Sequence, residues 1–254
     1  EVTVRGPNAD LHSGIYGGSV DNPAMVLCQM LGALRNNKGR VTVPDFYEGV
    51  EKLTAYERKQ MKRLPINQAE YRKLVGVPEL YGEKGYTHHE QRSARPTLEI
   101  NGLTSGYQGE GSKTIVPAWA SAKITCRLVP KQNPRRINRG LRQYLKKLCP
   151  STVKLEIKEG HGAEAYYVSP TGPMAQVALE ALHESFGYEP VLLREGGSIP
   201  IINEFKKVLG ADSLLLGLAL PDDNLHSPNE KFDLDCFHKG AQMSALLWDK
   251  LADI

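Results

Sequence analysis

Hydrophobic and polar positions alternate most clearly between Val116 and Val129. Ala118, Ala120, Ala122, Ile124, Cys126 and Leu128 fall on one face, and Trp119, Ser121, Lys123, Thr125 and Arg127 on the other. A period of two with one apolar face predicts a strand in a sheet covered on one side only. Shorter runs predict strands at Val2 and Val4, at Thr97 to Leu103, and at Val153, Leu155 and Ile157. Helical spacing marks two segments between them. Asn22-Pro23 opens a helix with the expected face Ala24, Leu27, Cys28, Leu31 and Leu34, and Asn133-Pro134 opens one that buries Ile137, Leu141, Tyr144, Leu145 and Leu148. Asparagine caps the free N–H groups, and proline in the first turn gives up an N–H that has no helical partner. Residues 40–95 are rich in charge, Tyr and Pro; they read as an insertion with short helices near 54–62 and 67–75. The order β-α-(insertion)-β-β-α-β is that of a ferredoxin-like α+β sandwich.

The rhythm changes at Ser169-Pro170. A helical face (Met174, Val177, Ala178, Ala181, Leu182) leads to the apolar run Val191 to Leu193. A short helix from Ile201 to Leu209 leads to a second run, Leu214 to Leu218, and a last helix starts near Asp235. Apolar strands alternating with helices predict part of an α/β sheet. Two or three strands are few for a sheet that stands alone, so the expectation is a segment of a larger one. The chain opens at Glu1 inside a strand pattern, with no methionine and no signal-like stretch, which reads as a cut from something longer.

Composition narrows the function classes. With 41% hydrophobic residues the chain can bury a core. Lysine and arginine number 32 against 29 acidic residues, a net charge of +3, and no basic run is interleaved with aromatics. That argues against nucleic acid as a partner. No stretch approaches the roughly 20 apolar residues that span a bilayer. Cys28, Cys126, Cys149 and Cys236 show no CxxC spacing, and three occupy apolar periodic positions. They read as buried free thiols, which suits a cytoplasmic location.

Candidate chemistry sits on loops. His12 lies among glycines in Asp10-Leu-His-Ser-Gly-Ile-Tyr-Gly-Gly18, and His161 stands between Gly160 and Gly162. Glycine lets the backbone come close to a ligand and leaves an imidazole uncovered, although an ordinary polar turn fits both patterns. Glu195-Gly-Gly-Ser198 joins an apolar run to a helix; carboxylate capture by its N–H groups and a purely structural turn both fit. His226, in the loop after Leu214 to Leu220, is the best-placed metal ligand, since a strand end can aim an imidazole at a fixed point. His88-His89, in a charged stretch, reads as solvent-exposed.

Six motifs in order, Asp10 to Gly18, Lys113-Thr-Ile-Val-Pro117, Arg127-Leu-Val-Pro130, Gly160-His-Gly162, Arg194-Glu-Gly-Gly-Ser-Ile-Pro200 and His226-Ser-Pro-Asn-Glu230, carry a resemblance. The chain resembles the two-zinc metallopeptidases that include cytosolic non-specific dipeptidase and carnosinase, with aminoacylases, glutamate carboxypeptidases and succinyl-diaminopimelate desuccinylase as further relatives. The resemblance implies a catalytic α/β domain interrupted by a lid domain that forms a homodimer. Residues 1–7 would end a first catalytic segment, 8–164 would be the lid, and 165–254 the returning catalytic segment. His226 matches a zinc ligand. His12 matches a lid histidine that reaches the partner's active site and polarises the scissile carbonyl. Thr114, Arg127, His161, Glu195, Gly197 and Ser198 match positions that hold a small peptide, chiefly by its C-terminal carboxylate. An arginine fork suits that group.

The family's other metal ligands and its general base precede the lid and have no counterpart here. Two zinc ions, or manganese or cobalt in their place, need a bridging carboxylate and several further ligands. The chain as given is therefore expected neither to bind a metal pair nor to turn over. Two other functions fit the same residues: a non-catalytic dimerisation or binding module, and an N-acyl amino acid deacylase of the same fold.

Overall fold

The structure is a computed structural model that describes residues 1–64, 67–195 and 199–252. The chain divides into two compact units. The first comprises Glu1–Thr54, Pro65–Ala165 and Arg194–Ser198; the second comprises Ala55–Leu64, Tyr166–Leu193 and Ile199–Ile254.

In chain order the elements are β1 (Val2–Arg5), β2 (Leu11–His12), α1 (Ser13–Tyr16), α2 (Pro23–Gly32), α3 (Ala55–Met61), α4 (Gln68–Val75), α5 (His88–Ser93), β3 (Thr97–Ser105), β4 (Ile115–Val116), β5 (Trp119–Arg127), α6 (Pro134–Leu148), β6 (Lys154–Ile157), α7 (Pro173–Phe186), α8 (Pro200–Leu209) and α9 (Leu234–Leu251). The first unit is an α+β domain built on a four-stranded sheet in the order β3-β5-β1-β6, with every neighbouring pair antiparallel. In that order β1 and β3, joined through α2 and the long connection, are separated by β5, and β1 likewise separates β5 from β6, which α6 joins.

The alternation along β5 fixes its faces as the sequence predicts. Ala120 and Ala122 are buried while Trp119, Lys123, Thr125 and Arg127 are exposed. The buried face joins Val2, Val4 and Leu98 to Leu27, Met30 and Leu34 from α2 and its C-terminal turn, and to Ile137 and Leu145 of α6. Val41, Val43 and Phe46 belong to the same core, so the start of the region read as an insertion is packed structure. The expected face of α2 needs one correction. Val26 and Met30 point inward and Cys28 is exposed, because the helix meets the sheet along positions 23, 26–27, 30–31 and 34. None of the four cysteines is fully buried. Burial, followed by the charge of Glu99, pushes the Cys126 thiol up to about 12, which leaves it inert.

The strand expected from Val116 to Val129 is broken at Pro117. Its first two residues, β4, pair with β2 in a separate ribbon, with Leu11 opposite Val116 and His12 opposite Ile115. Proline has no N–H for a ladder. The next N–H, of Ala118, is taken by the Asp10 carboxylate at 2.9 Å, while the Ala118 carbonyl accepts from Gly6 N–H at 2.9 Å.

The second unit is helical. Helix α7 packs along α9, with Ala175, Ala178 and Ala181 buried on one and Gly240 and Met243 on the other. A Cβ at Gly240 would lie 2.5 Å from Leu218 Cδ1, so this glycine makes room for the 211–220 segment. The strands expected at 191–193 and 214–218 are not formed. A strand exists only as a ladder with another backbone, and among the described residues of this unit none offers one. Leu193, Leu215 and Leu220 are exposed.

Candidate functional site

The β2–β4 ribbon assembles the first part of the site. The carboxylate of Asp10 ties the loop to Ala118, the two strand pairs align His12 with Ile115, and Ser13 N–H donates to the Thr114 carbonyl at 3.0 Å. His12 caps α1, its Nδ1 accepting from Gly14 N–H at 3.1 Å. That bond orients the ring and leaves Nε2 as the outward nitrogen of an exposed side chain. His12 and Thr114 are thus neighbours, though 102 positions apart in sequence. Asp10, which the sequence reading passed over, positions both; its signal was a carboxylate two residues before the histidine.

Arg127 and His161 both lie toward the other end of the sheet. Arg127 closes β5, opposite Thr97. His161 follows the end of β6, where Ile157 pairs with Val2 and Lys158 N–H donates to the Glu1 carbonyl. That end of β1 and β6 is the one toward which β5 runs as it approaches Arg127. The adjacent Gly162 packs against Pro134 at the start of α6, also on this side. Both side chains are exposed. Since β5 has nine residues, its length is roughly 26 Å at about 3.3 Å per step. One copy of the unit therefore presents His12 with Thr114 at one end and Arg127 with His161 at the other.

Glu195 lies 3.6 Å from the Arg92 guanidinium of α5. Gly197 and Ser198 lie outside the described residues.

His226 belongs to the second unit, in a loop closed by a buried carboxylate. Asp223 accepts from Leu220 N–H at 2.7 Å and from Lys231 Nζ at 3.0 Å, and its own carbonyl accepts from Lys231 N–H at 3.0 Å. The Leu220 N–H, and then Lys231, hold the Asp223 carboxyl below the usual carboxylate range. Within this loop Asn224, His226 and Asn229 all have left-handed backbones, with φ of 53°, 62° and 60°. Such conformations are uncommon outside glycine, and three in one short loop are held only because the surrounding bonds dictate them. His226 N–H donates to the Glu230 carboxylate at 3.3 Å and the imidazole is exposed. Among the described residues no three His, Cys, Asp or Glu side chains come together to hold a metal. The residues present do not fit a two-metal centre.

One expectation is overturned in the region read as an insertion. Thr87 and Glu90 form a capping box that starts α5, and the first helical residue, His88, turns inward to stack on Tyr71 at 4.6 Å. His88 is buried and not solvent-exposed. Close by, buried Arg95 makes a two-pronged pair with Glu83 at 2.7 and 3.0 Å, and Arg40 adds a third bond at 2.8 Å. Among the described residues no helix is long and apolar enough to cross a membrane.

Residues 1–153 match the peptidase dimerisation domain of the M20 peptidases. The Cys-Gly metallodipeptidase of Schizosaccharomyces pombe is 31% identical over 257 residues, covering 100% of this chain and 54% of that protein. The human Beta-Ala-His dipeptidase is 27% identical over 256 residues, covering 100% and 50%. A solved di-peptidase from Saccharomyces cerevisiae superposes with a TM-score of 0.83 at 29% identity, covering 100% of this chain and 53% of that one. Human carnosine dipeptidase 1 gives 0.83 at 26% identity, covering 100% and 54%. The chain spans about half the length of the relatives it matches. It belongs to the peptidase dimerisation domain family, and the relatives named here are dipeptidases.

Proposed function

We propose that the whole protein is a metal-dependent dipeptidase that works as a homodimer, with residues 8–164 as its lid and 165–254 as the returning segment of its catalytic domain. The observation that carries this reading is the separation of the two groups along β5. A dipeptide is at most about 7 Å long, whereas the strand between the groups runs roughly 26 Å. His12 with Thr114 and Arg127 with His161 cannot grip the same short substrate from a single copy. A second copy resolves this: Arg127, His161 and residues 195–198 hold the C-terminal carboxylate in one protomer, and His12 and Thr114 of the other lid close over the scissile carbonyl. Dipeptidases and solved dipeptidase structures, aligned over this entire chain, support the dipeptidase part of this reading.

In the whole protein His226 would supply one metal ligand, to zinc or to manganese or cobalt in its place, and the loop that holds it, with its three left-handed residues, suits a fixed aim. This chain's own residues otherwise contribute grip and polarisation. The guanidinium fork of Arg127 matches a carboxylate, and the outward nitrogen of His12 can donate to an oxygen that gains negative charge. Losing one such donor costs about 3 kcal/mol. In the whole protein His12→Ala should lower kcat on a dipeptide about 100-fold or more while leaving the fold intact. Near-normal kcat would remove His12 from the reaction.

A further inference from the structure

The molecule contains a second site candidate, in the first unit and apart from His12, Arg127 and His226. A cavity of about 200 Å³ lies among the 35–41 turn, α4, α5 and the start of β3. One close backbone approach forms one side of it. Gly39 has φ of 74° and sits so near the Gly82 carbonyl that a Cβ would lie 2.2 Å away. A side chain at Gly39 would force the two turns apart.

His88 lines this cavity, is only 7% exposed, and has no hydrogen-bond partner on either ring nitrogen among the described residues. A buried polar atom without a partner costs about 1–3 kcal/mol. Here two such atoms sit on one ring beside an open volume. The cavity walls indicate what would satisfy them. Tyr71 and Tyr81 line it, with the His88 ring stacked on Tyr71 and the Arg35 guanidinium 5.9 Å from the Tyr81 ring, so flat surfaces dominate. Three arginines, Arg35, Arg92 and Arg95, line it against two carboxylates, Glu83 and Glu99. Glu83 is further shared with Arg40, leaving the wall net positive. Arg92 has the loosest pairing, 3.6 Å from Glu195 with both side chains well exposed, and such a pair is worth little. It can turn to a ligand at small cost. A metal does not suit these walls, since among the described residues no third ligand joins the histidines. An apolar cavity of about 150 Å³ holds benzene, so 200 Å³ accommodates one ring with a small substituent.

We propose that this cavity is a binding site for a small planar carboxylate of benzoate size, its ring against Tyr71 and its charge on His88 and Arg92. Burial first, then the neighbouring His89 and Arg92, hold the His88 ring below its ordinary pKa. A carboxylate beside the ring offsets the charges of His89 and Arg92 and pairs with the protonated imidazole, so binding should bring a proton onto it. The cavity stands apart from His12 and Arg127, although Arg92 shares its ion pair with Glu195, which the dipeptidase reading places in the carboxylate grip.

The test is a titration of the protein with benzoate at neutral pH, followed by the ¹⁵N resonances of the His88 ring, with benzamide as the uncharged control. The expected result is a saturable shift in which both ring nitrogens take the protonated signature, with benzamide silent. Arg92→Gln, on the exposed side of the cavity, should weaken binding about tenfold, the size of one charge-assisted hydrogen bond. His88→Leu should weaken benzoate at least as much by calorimetry, and Arg92→Gln serves alone if that variant fails to fold. Arg127→Ala should leave the His88 titration unchanged, which separates this site from the carboxylate grip of the peptidase reading. No saturable His88 shift, equal response to benzamide, or unaltered affinity in Arg92→Gln would each overturn the proposal.

Discussion

The two units use similar apolar stretches to different ends. In the first, β1, β3, β5 and β6 satisfy one another's backbones, and α2 and α6 cover one face of the resulting sheet. In the second, α7 and α9 pack together, yet Val208, Leu209, Leu215, Leu234, Phe237 and Trp248 remain exposed and the runs 191–193 and 214–218 stay irregular. Apolar residues alone do not make a strand. The run must find a partner whose N–H and C=O groups match its own, and only the first unit supplies them among the described residues.

The largest effect expected on this contrast comes from a buried ion pair of the first unit. Arg95 and Glu83 are both about nine-tenths buried and joined by two bonds. Glu83→Ala leaves a buried guanidinium uncompensated and should cost about 3–5 kcal/mol in urea unfolding of the first unit. A loss below about 1 kcal/mol would mean that Arg95 finds other partners.

Matched truncations sharpen the comparison next. Leu27, 0% exposed at the centre of the first core, should lose about 2–5 kcal/mol as Leu27→Ala. Leu209, 69% exposed on α8, should change stability by no more than about 0.5 kcal/mol as Leu209→Ala. Similar losses at both sites would show that Leu209 is covered in solution.

The smallest effect is a pH slope. His88 has its pKa lowered in the fold from an ordinary 6.5, chiefly by burial. The unfolded chain therefore takes up a proton before the folded one does. This contribution is flat above about pH 6.5, then stability falls as pH drops through that value and levels off below the folded pKa. His88→Phe keeps a ring on Tyr71 and cannot titrate, so its Tm should fall less than that of the wild type between about pH 8 and 5. Parallel curves would mean that His88 is not the group responsible.

Much of this was legible in the sequence because local chemistry and the final fold agree. Asn22-Pro23 and Asn133-Pro134 start their helices with the predicted caps, and the period of two along β5 places each residue on its observed face. What escaped depended on distant partners. Pro117 looks like one residue in a strand until β2 arrives to pair with its preceding neighbours. The α5 helix carries no apolar period, so His88 looks exposed until Thr87 and Glu90 cap it and Tyr71 covers it. Of the candidate site, His12 and Thr114 could be named from motifs, but their adjacency and their distance from Arg127 follow only from the antiparallel order of the sheet.

That distance is the centre of the account, and mixing two defective proteins tests it directly. His12→Ala and Arg127→Ala should each be nearly inactive as homodimers of the whole protein. If His12 acts across the dimer, random exchange of the two should restore about one quarter of wild-type activity, because half the dimers are mixed and each mixed dimer has one intact site. Activity that stays at the level of the two mutants after confirmed exchange would place both residues in the same copy and contradict the account.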